Sequence, residues 1–183
     1  MARRVAPAIE IATIAPKAGI VRLSNGLKVI ADFGIDDAPD CEWLIVTGGP
    51  GWSDQARSPA TLAFLRRVAA GGNLASVCTG AMILAAAGVL DGRMATTKVE
   101  VVPPEISPLA VLRADYIAID ARAATLVDAG GIVTGGGVSL CIDVTLHLIE
   151  RVLGADIAAE TARILEYTRA RRANAQLFPL LAD

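Results

Sequence analysis

From Val68 to Leu90 the chain carries no charged side chain, a run as long as a bilayer span. Two structures accommodate such a run: a lipid-facing helix, or a strand and a helix that both lie inside a protein core. The small and polar residues decide between them. Gly71-Gly72-Asn73 interrupts the start, and Ser76, Cys78, Thr79 and Gly80 occupy the middle. Two apolar runs joined by a small polar turn describe strand, turn and helix. The opening Met1-Ala2-Arg3-Arg4-Val5 has no apolar h-region, so no secretory signal is expected. The expectation is a cytoplasmic protein that does not enter a membrane.

The rest of the composition suits a large parallel-sheet core. Apolar residues make up 54% of the chain but aromatic ones only 4%, so Ala, Val, Ile and Leu must fill the interior. That apolarity excludes intrinsic disorder, and neither a Gly-X-Y period nor a sustained heptad is present. A length of 183 residues fits one domain over 1–183. Seventeen basic against nineteen acidic residues leave a net charge of -2. The one basic cluster, Arg169, Arg171 and Arg172, reads as a solvated helix end, so no nucleic-acid partner is expected. Cys41, Cys78 and Cys141 are odd in number and widely spaced, which suits neither a disulfide framework nor a metal site.

Short β-branched runs alternate with Ala-rich helical stretches. Ala8–Ala15 reads as a strand, and Ser24-Asn25-Gly26 joins Val21–Leu23 to Lys28–Ala31 as a hairpin. Trp43–Thr47 is apolar on both faces, as a central parallel strand should be. Ser58-Pro59 opens a helix that runs to Gly71. Leu74–Val77 is the next strand, followed by a helix from Gly80 to Gly88. Arg93–Thr97 and Asp115–Ile119 read as strands, and Asp128–Gly131 turns a hairpin between Thr125–Val127 and Ile132–Thr134. A helix from about Val138 to Leu153 stops at Gly154, and Asp156 caps a last one through Tyr167. Alternating strands and helices predict a mostly parallel sheet covered on both faces, with ligands at the strands' carboxyl ends.

Ala75–Ala81 (ASVCTGA) then becomes the most informative segment. It puts Cys78 where a buried strand hands over to a helix. Small neighbours let a ligand approach, a helix N-terminus favours a thiolate, and free amides can receive developing negative charge. This is the cysteine analogue of a nucleophile elbow. Thr47-Gly48-Gly49-Pro50-Gly51 lies at another strand's carboxyl end and offers close-approaching main-chain N–H groups. It is not a dinucleotide fingerprint, because Asp54 stands where the third glycine belongs. Cys41 and Cys141 read as structural.

VTGGPG, SVCTGAMILAAAGVLDGRMATT and IVTGGGVS together resemble the DJ-1/PfpI superfamily over nearly the whole chain. The middle block is similar to the branch holding isocyanide hydratases and the ligand-sensing domains of AraC-type regulators. The resemblance implies a flavodoxin-like three-layer α/β sandwich, a homodimer and a small-molecule substrate without a cofactor. It implies Cys78 as nucleophile, with the Thr79 and Gly49 amides as oxyanion hole and Gly48 and Pro50 shaping it. Gly136, Val138 and Ser139 would border the pocket or the dimer contact. Lys98 stands where relatives often carry histidine, and reads as an exposed lysine that could favour the thiolate by charge. Family members also begin with a βα unit bearing an acidic residue that bonds the cysteine. Met1–Pro7 resembles the end of that unit's helix, so the unit is expected to be missing and the natural chain to start further upstream.

His147 is the one imidazole of the chain, but it sits in an apolar helical run several turns from any loop and reads as structural. Three functions follow from the resemblance. The leading one is hydration of an isocyanide to an N-substituted formamide through a Cys78 thioimidate. The others are a non-enzymatic ligand sensor and a redox-sensing or glyoxalase/deglycase-like protein.

Overall fold

A computed structural model describes residues 1–182. In chain order it contains α1 (Ala2–Val5), β1 (Ile14–Ala15), β2 (Gly19–Arg22), β3 (Lys28–Ala31), β4 (Phe33–Gly34) and β5 (Trp43–Val46). Then come α2 (Trp52–Gln55), α3 (Pro59–Gly71), β6 (Asn73–Ser76), α4 (Gly80–Ala86), β7 (Met94–Ala95), α5 (Pro108–Asp115) and β8 (Asp120–Ala121). The last part holds β9 (Leu126–Asp128), β10 (Ile132–Gly135), a 3-10 turn (Val138–Leu140), α6 (Cys141–Leu153), α7 (Ala155–Ile164), α8 (Thr168–Leu177) and β11 (Leu180–Ala182).

The central sheet has the order β11-β9-β10-β6-β5. Every neighbouring pair in it is parallel except the β9–β10 hairpin. β6 shows why the sheet must be covered twice. Leu74 belongs to a core on one face with residues of α3, α4 and α5, whereas Ala75 joins Val133, Val144 and Leu148 on the other. The fold is thus a flavodoxin-like, three-layer α/β sandwich with a mostly parallel sheet. The uncharged run is its centre: Leu74–Ser76 and Gly80–Ala85 are all buried. No helix among the described residues is long and apolar enough to cross a membrane.

Several expectations hold in detail. Ser58 caps α3 by accepting from the Thr61 N–H at 3.4 Å, with Pro59 in the first turn. β2 and β3 form the hairpin around Asn25-Gly26, and β9 and β10 the one around Asp128–Gly131. Other expectations need correction. Of Ala8–Ala15 only Ile14 and Ala15 form a strand, because the preceding residues find no ladder partner; Ile11 is left 73% exposed. β5 is an edge strand, not a central one, so Ile45 is 40% exposed. Asp115–Ile119 is not a strand. Ser107-Pro108 starts α5, which buries Leu109 and Leu112 and ends at Asp115, and the strand follows at β8. Asp156 caps nothing: α7 begins at Ala155 after Gly154, whose φ of 90° turns the chain out of α6. It ends at Ile164, and α8 and β11 follow without having been foreseen.

Candidate functional site: a strand-to-helix elbow

β6 delivers Cys78 and α4 carries the chain away. The turn is tight enough to hold Cys78 at φ 54°, a left-handed conformation that costs a non-glycine residue strain. The fold holds it there from two sides. The Cys78 N–H donates to the Gly136 carbonyl at 3.0 Å, and the buried Thr97 hydroxyl donates to the Cys78 carbonyl at 2.8 Å. Gly80 completes the elbow, since a Cβ there would collide with the Val46 carbonyl oxygen. No side chain among the described residues hydrogen-bonds the Cys78 sulfur.

The loop after β5 packs directly over this turn. A Cβ on Gly48 would lie 2.6 Å from the Thr79 nitrogen and 3.0 Å from the Cys78 Cβ. Glycine is what lets the two strand ends meet. The Gly49 N–H donates to the Thr79 hydroxyl at 2.9 Å, so that amide already has an acceptor. The Thr79 amide has none among the described residues. Pro50 is exposed at the rim.

The third wall is the loop after β10. Gly136 is buried against the Ala124 and Thr125 carbonyls, and Gly137 runs beside the Lys98 side chain. Val138 is 70% exposed at φ 21°, and Ser139 is exposed beside it. Lys98 is half-buried, not exposed, and its ammonium is neutralised by Glu105 at 3.0 Å. The structure therefore brings Cys78, Thr79, Gly48, Gly49 and Gly136 together, with Lys98, Val138 and Ser139 along the margin.

His147 lies elsewhere. Its Nε2 is 2.7 Å from Asp128, which also accepts from Arg151 at 2.9 Å. Asp128 pairs with Val133 at the start of β10, the opposite end of the sheet from Cys78. Sequence reasoning missed Thr97, whose signal was a polar side chain at the buried end of the ATT run. It also missed the cluster behind the Gly136 loop. There Tyr167 donates to buried Asp143 at 2.8 Å, and Asn174 donates to both at 2.9 Å. Burial, followed by that bond to the Asp143 carboxylate, pushes the Tyr167 phenol up to about 12. A cavity of about 60 Å³ beside this cluster is lined by residues including Thr125, Asp143, His147 and Arg171, but not by Cys78.

Fold and elbow define a flavodoxin-like α/β protein with a strained cysteine at the carboxyl end of its sheet. The chain belongs to the DJ-1/PfpI family, whose sequence profile matches residues 3–151. It is 33% identical over 153 residues to isonitrile hydratase of Pseudomonas putida, covering 82% of this chain and 62% of that enzyme. It is 32% identical to the HTH-type transcriptional regulator GlxA of Rhizobium meliloti over 83% of this chain and 45% of the regulator. The chain thus spans less than two thirds of the curated relatives it matches first. A solved ThiJ/PfpI family protein from Pseudomonas syringae superposes with a TM-score of 0.77 at 24% identity, covering 96% of this chain and 78% of that one. That likeness carries the fold.

Proposed function

We propose that the chain is a cysteine-dependent hydratase of isonitriles (isocyanides), acting as a homodimer. The observation that carries this reading is the elbow: a strained Cys78 beside an unengaged Thr79 amide under a glycine lid. The similarity to isonitrile hydratase supports the choice of substrate class. The Cys78 thiolate adds to the terminal carbon of the isonitrile, and that carbon takes up a proton to give a thioimidate. Water adds to the same carbon, and collapse expels the thiolate and leaves an N-substituted formamide. The Thr79 amide faces charge that develops during these additions. Gly49 joins it only when substrate displaces the Thr79 hydroxyl from its N–H. Among the described residues no side chain hydrogen-bonds the cysteine sulfur, and on this reading solvent water carries the protons.

Purified protein incubated with p-nitrophenyl isocyanide should release the formamide, and Cys78→Ala should abolish release. Absence of formamide from the folded wild type overturns the reading. A second reading, a ligand-sensing domain, is favoured by the already occupied Gly49 amide and by the similarity to transcriptional regulators. It expects saturable isonitrile binding in calorimetry without turnover, undiminished in Cys78→Ala.

A further inference from the structure

Two of the three thiols converge on one loop. The Gly136 carbonyl holds the Cys78 amide, and five residues later Cys141 opens α6. The intervening turn is compact: the Leu140 N–H donates to the Gly137 carbonyl at 2.9 Å, and the Leu140 side chain folds back against Gly136. Cys141 is therefore kept close to the elbow, and like Cys78 it is half-buried. Burial pushes the Cys141 thiol up, and the negative charge of Cys78 is the next cause. Cys41 is different, being exposed and influenced by its own burial and by Asp40.

We propose that Cys78 and Cys141 form a redox pair that responds to small hydroperoxides, with Cys78 as the oxidised thiol and Cys141 as the resolving one. The Cys78 thiolate attacks a peroxide oxygen and the O–O bond breaks. The departing alkoxide or hydroxide takes up a proton, and the sulfur becomes a sulfenic acid. The Cys141 sulfur then gives up its proton, attacks the Cys78 sulfur and breaks the S–O bond, and the hydroxide leaves as water. Two thiols and one peroxide yield a disulfide, water and an alcohol (or a second water). Burial, the larger cause, goes on holding the Cys141 thiol up, while conversion of the attacking Cys78 thiolate to a neutral sulfenic acid removes the negative charge beside it. The disulfide requires Cα atoms about 4.4–6.8 Å apart, and the turn between the two thiols exposes Val138 and Ser139 to solvent. This pair does not depend on the hydratase reading. Its disulfide would, however, withdraw Cys78 from any chemistry there.

Wild type, Cys41→Ser and Cys141→Ser are each treated with a small excess of hydrogen peroxide, capped with N-ethylmaleimide and analysed by intact mass and non-reducing tryptic mapping. Wild type and Cys41→Ser should lose two hydrogens and give a cross-linked peptide joining residues 68–93 to 123–151. Dithiothreitol should reverse it. Cys141→Ser should gain one and then two oxygens at Cys78. Oxygen on Cys78 with Cys141 still alkylated in wild type overturns the proposal, as does a disulfide through Cys41. The wild-type and Cys41→Ser results decide the matter even if Cys141→Ser folds poorly.

Discussion

Gly48→Ala tests the elbow most directly, because the steric demand is local and readable. The new Cβ would sit 2.6 Å from the Thr79 nitrogen, 2.7 Å from its hydroxyl and 3.0 Å from the Cys78 Cβ. Ordinary contact begins at 3.4 Å, so the loop and the elbow must separate by 3.4 − 2.6 = 0.8 Å along the worst contact. Gly48 does not lie in the left-handed region, so the cost is one of overlap and not of backbone strain. Overpacking costs about 1–3 kcal/mol. Gly48 is exposed on its outer side and its loop can yield, which favours the lower half of that range. At roughly 2–4 °C per kcal/mol for a chain of this size, thermal unfolding should move down by a few degrees. On the proposed hydratase reading the chemical effect should be larger, because the displaced amide is the Thr79 donor that reading invokes; loss of one such donor costs about 10²–10³ in turnover. Gly51→Ala is the matched control. Gly51 lies in the same loop at φ -79°, and a Cβ there meets nothing within 4 Å. Differential scanning calorimetry reads the first effect and the rate of formamide release from p-nitrophenyl isocyanide the second. If Gly48→Ala matches wild type in both, or if Gly51→Ala is equally impaired, the glycine lid does not set the elbow's geometry.

Tyr167→Phe should change the alkaline limb of stability. With its folded pKa raised to about 12 from 10.0, Tyr167 contributes fully below the unfolded value and loses its contribution as pH climbs from 10.0 towards 12. Urea unfolding at a series of pH values should show a shallower decline in the variant. Parallel declines would mean that the Asp143 contact carries no such linkage. His147→Ala removes a hydrogen bond to a carboxylate, so a loss of about 1.5–3 kcal/mol is expected, with Cys78 alkylation unchanged; slowed alkylation would restore a catalytic role for the imidazole. Ile45→Lys places charge on the open edge of β5. Light scattering during heating should fall while stability changes by about 1 kcal/mol or less, and undiminished scattering would acquit that edge.

What was legible in the sequence was whatever a short run of residues determines by itself. The uncharged Val68–Leu90 stretch had to be buried, and its small polar middle had to be a turn, because Gly80 and Thr79 leave no alternative once both flanks are apolar. The two hairpins were legible from Asn25-Gly26 and from Gly130-Gly131, which supply turn conformations that few other pairs adopt. Partnering was not legible. Trp43–Val46 is as apolar as a central strand, and only the assembled sheet shows that nothing among the described residues pairs with its outer side. Ala8–Thr13 has strand composition but no ladder, which is a fact about neighbours and not about its own residues. α8 was missed because its polar sequence buries no residue; it is tied to the rest partly through Asn174 and Arg171.

The same distinction applies to the site. Cys78, Thr79 and Gly48 are brought together by one elbow and one loop, each encoded locally, and the sequence pointed to them. Thr97 and the Asp143–Tyr167–Asn174 cluster act across the fold. Thr97 bonds a carbonyl nineteen positions away, and Tyr167 reaches Asp143 over twenty-four. Such long-range bonds tie the Gly136 loop and the start of α6 to the rest of the fold. The elbow is fixed on one side by buried Thr97 and bounded on the other by a turn that exposes Val138 and Ser139 to solvent. That asymmetry suits both an incoming isonitrile and an incoming thiol. On the two proposals, turnover and disulfide formation compete for one sulfur, and peroxide treatment should suppress formamide release in wild type and be reversed by dithiothreitol. In Cys141→Ser the same treatment should suppress it irreversibly, as oxygens accumulate on Cys78.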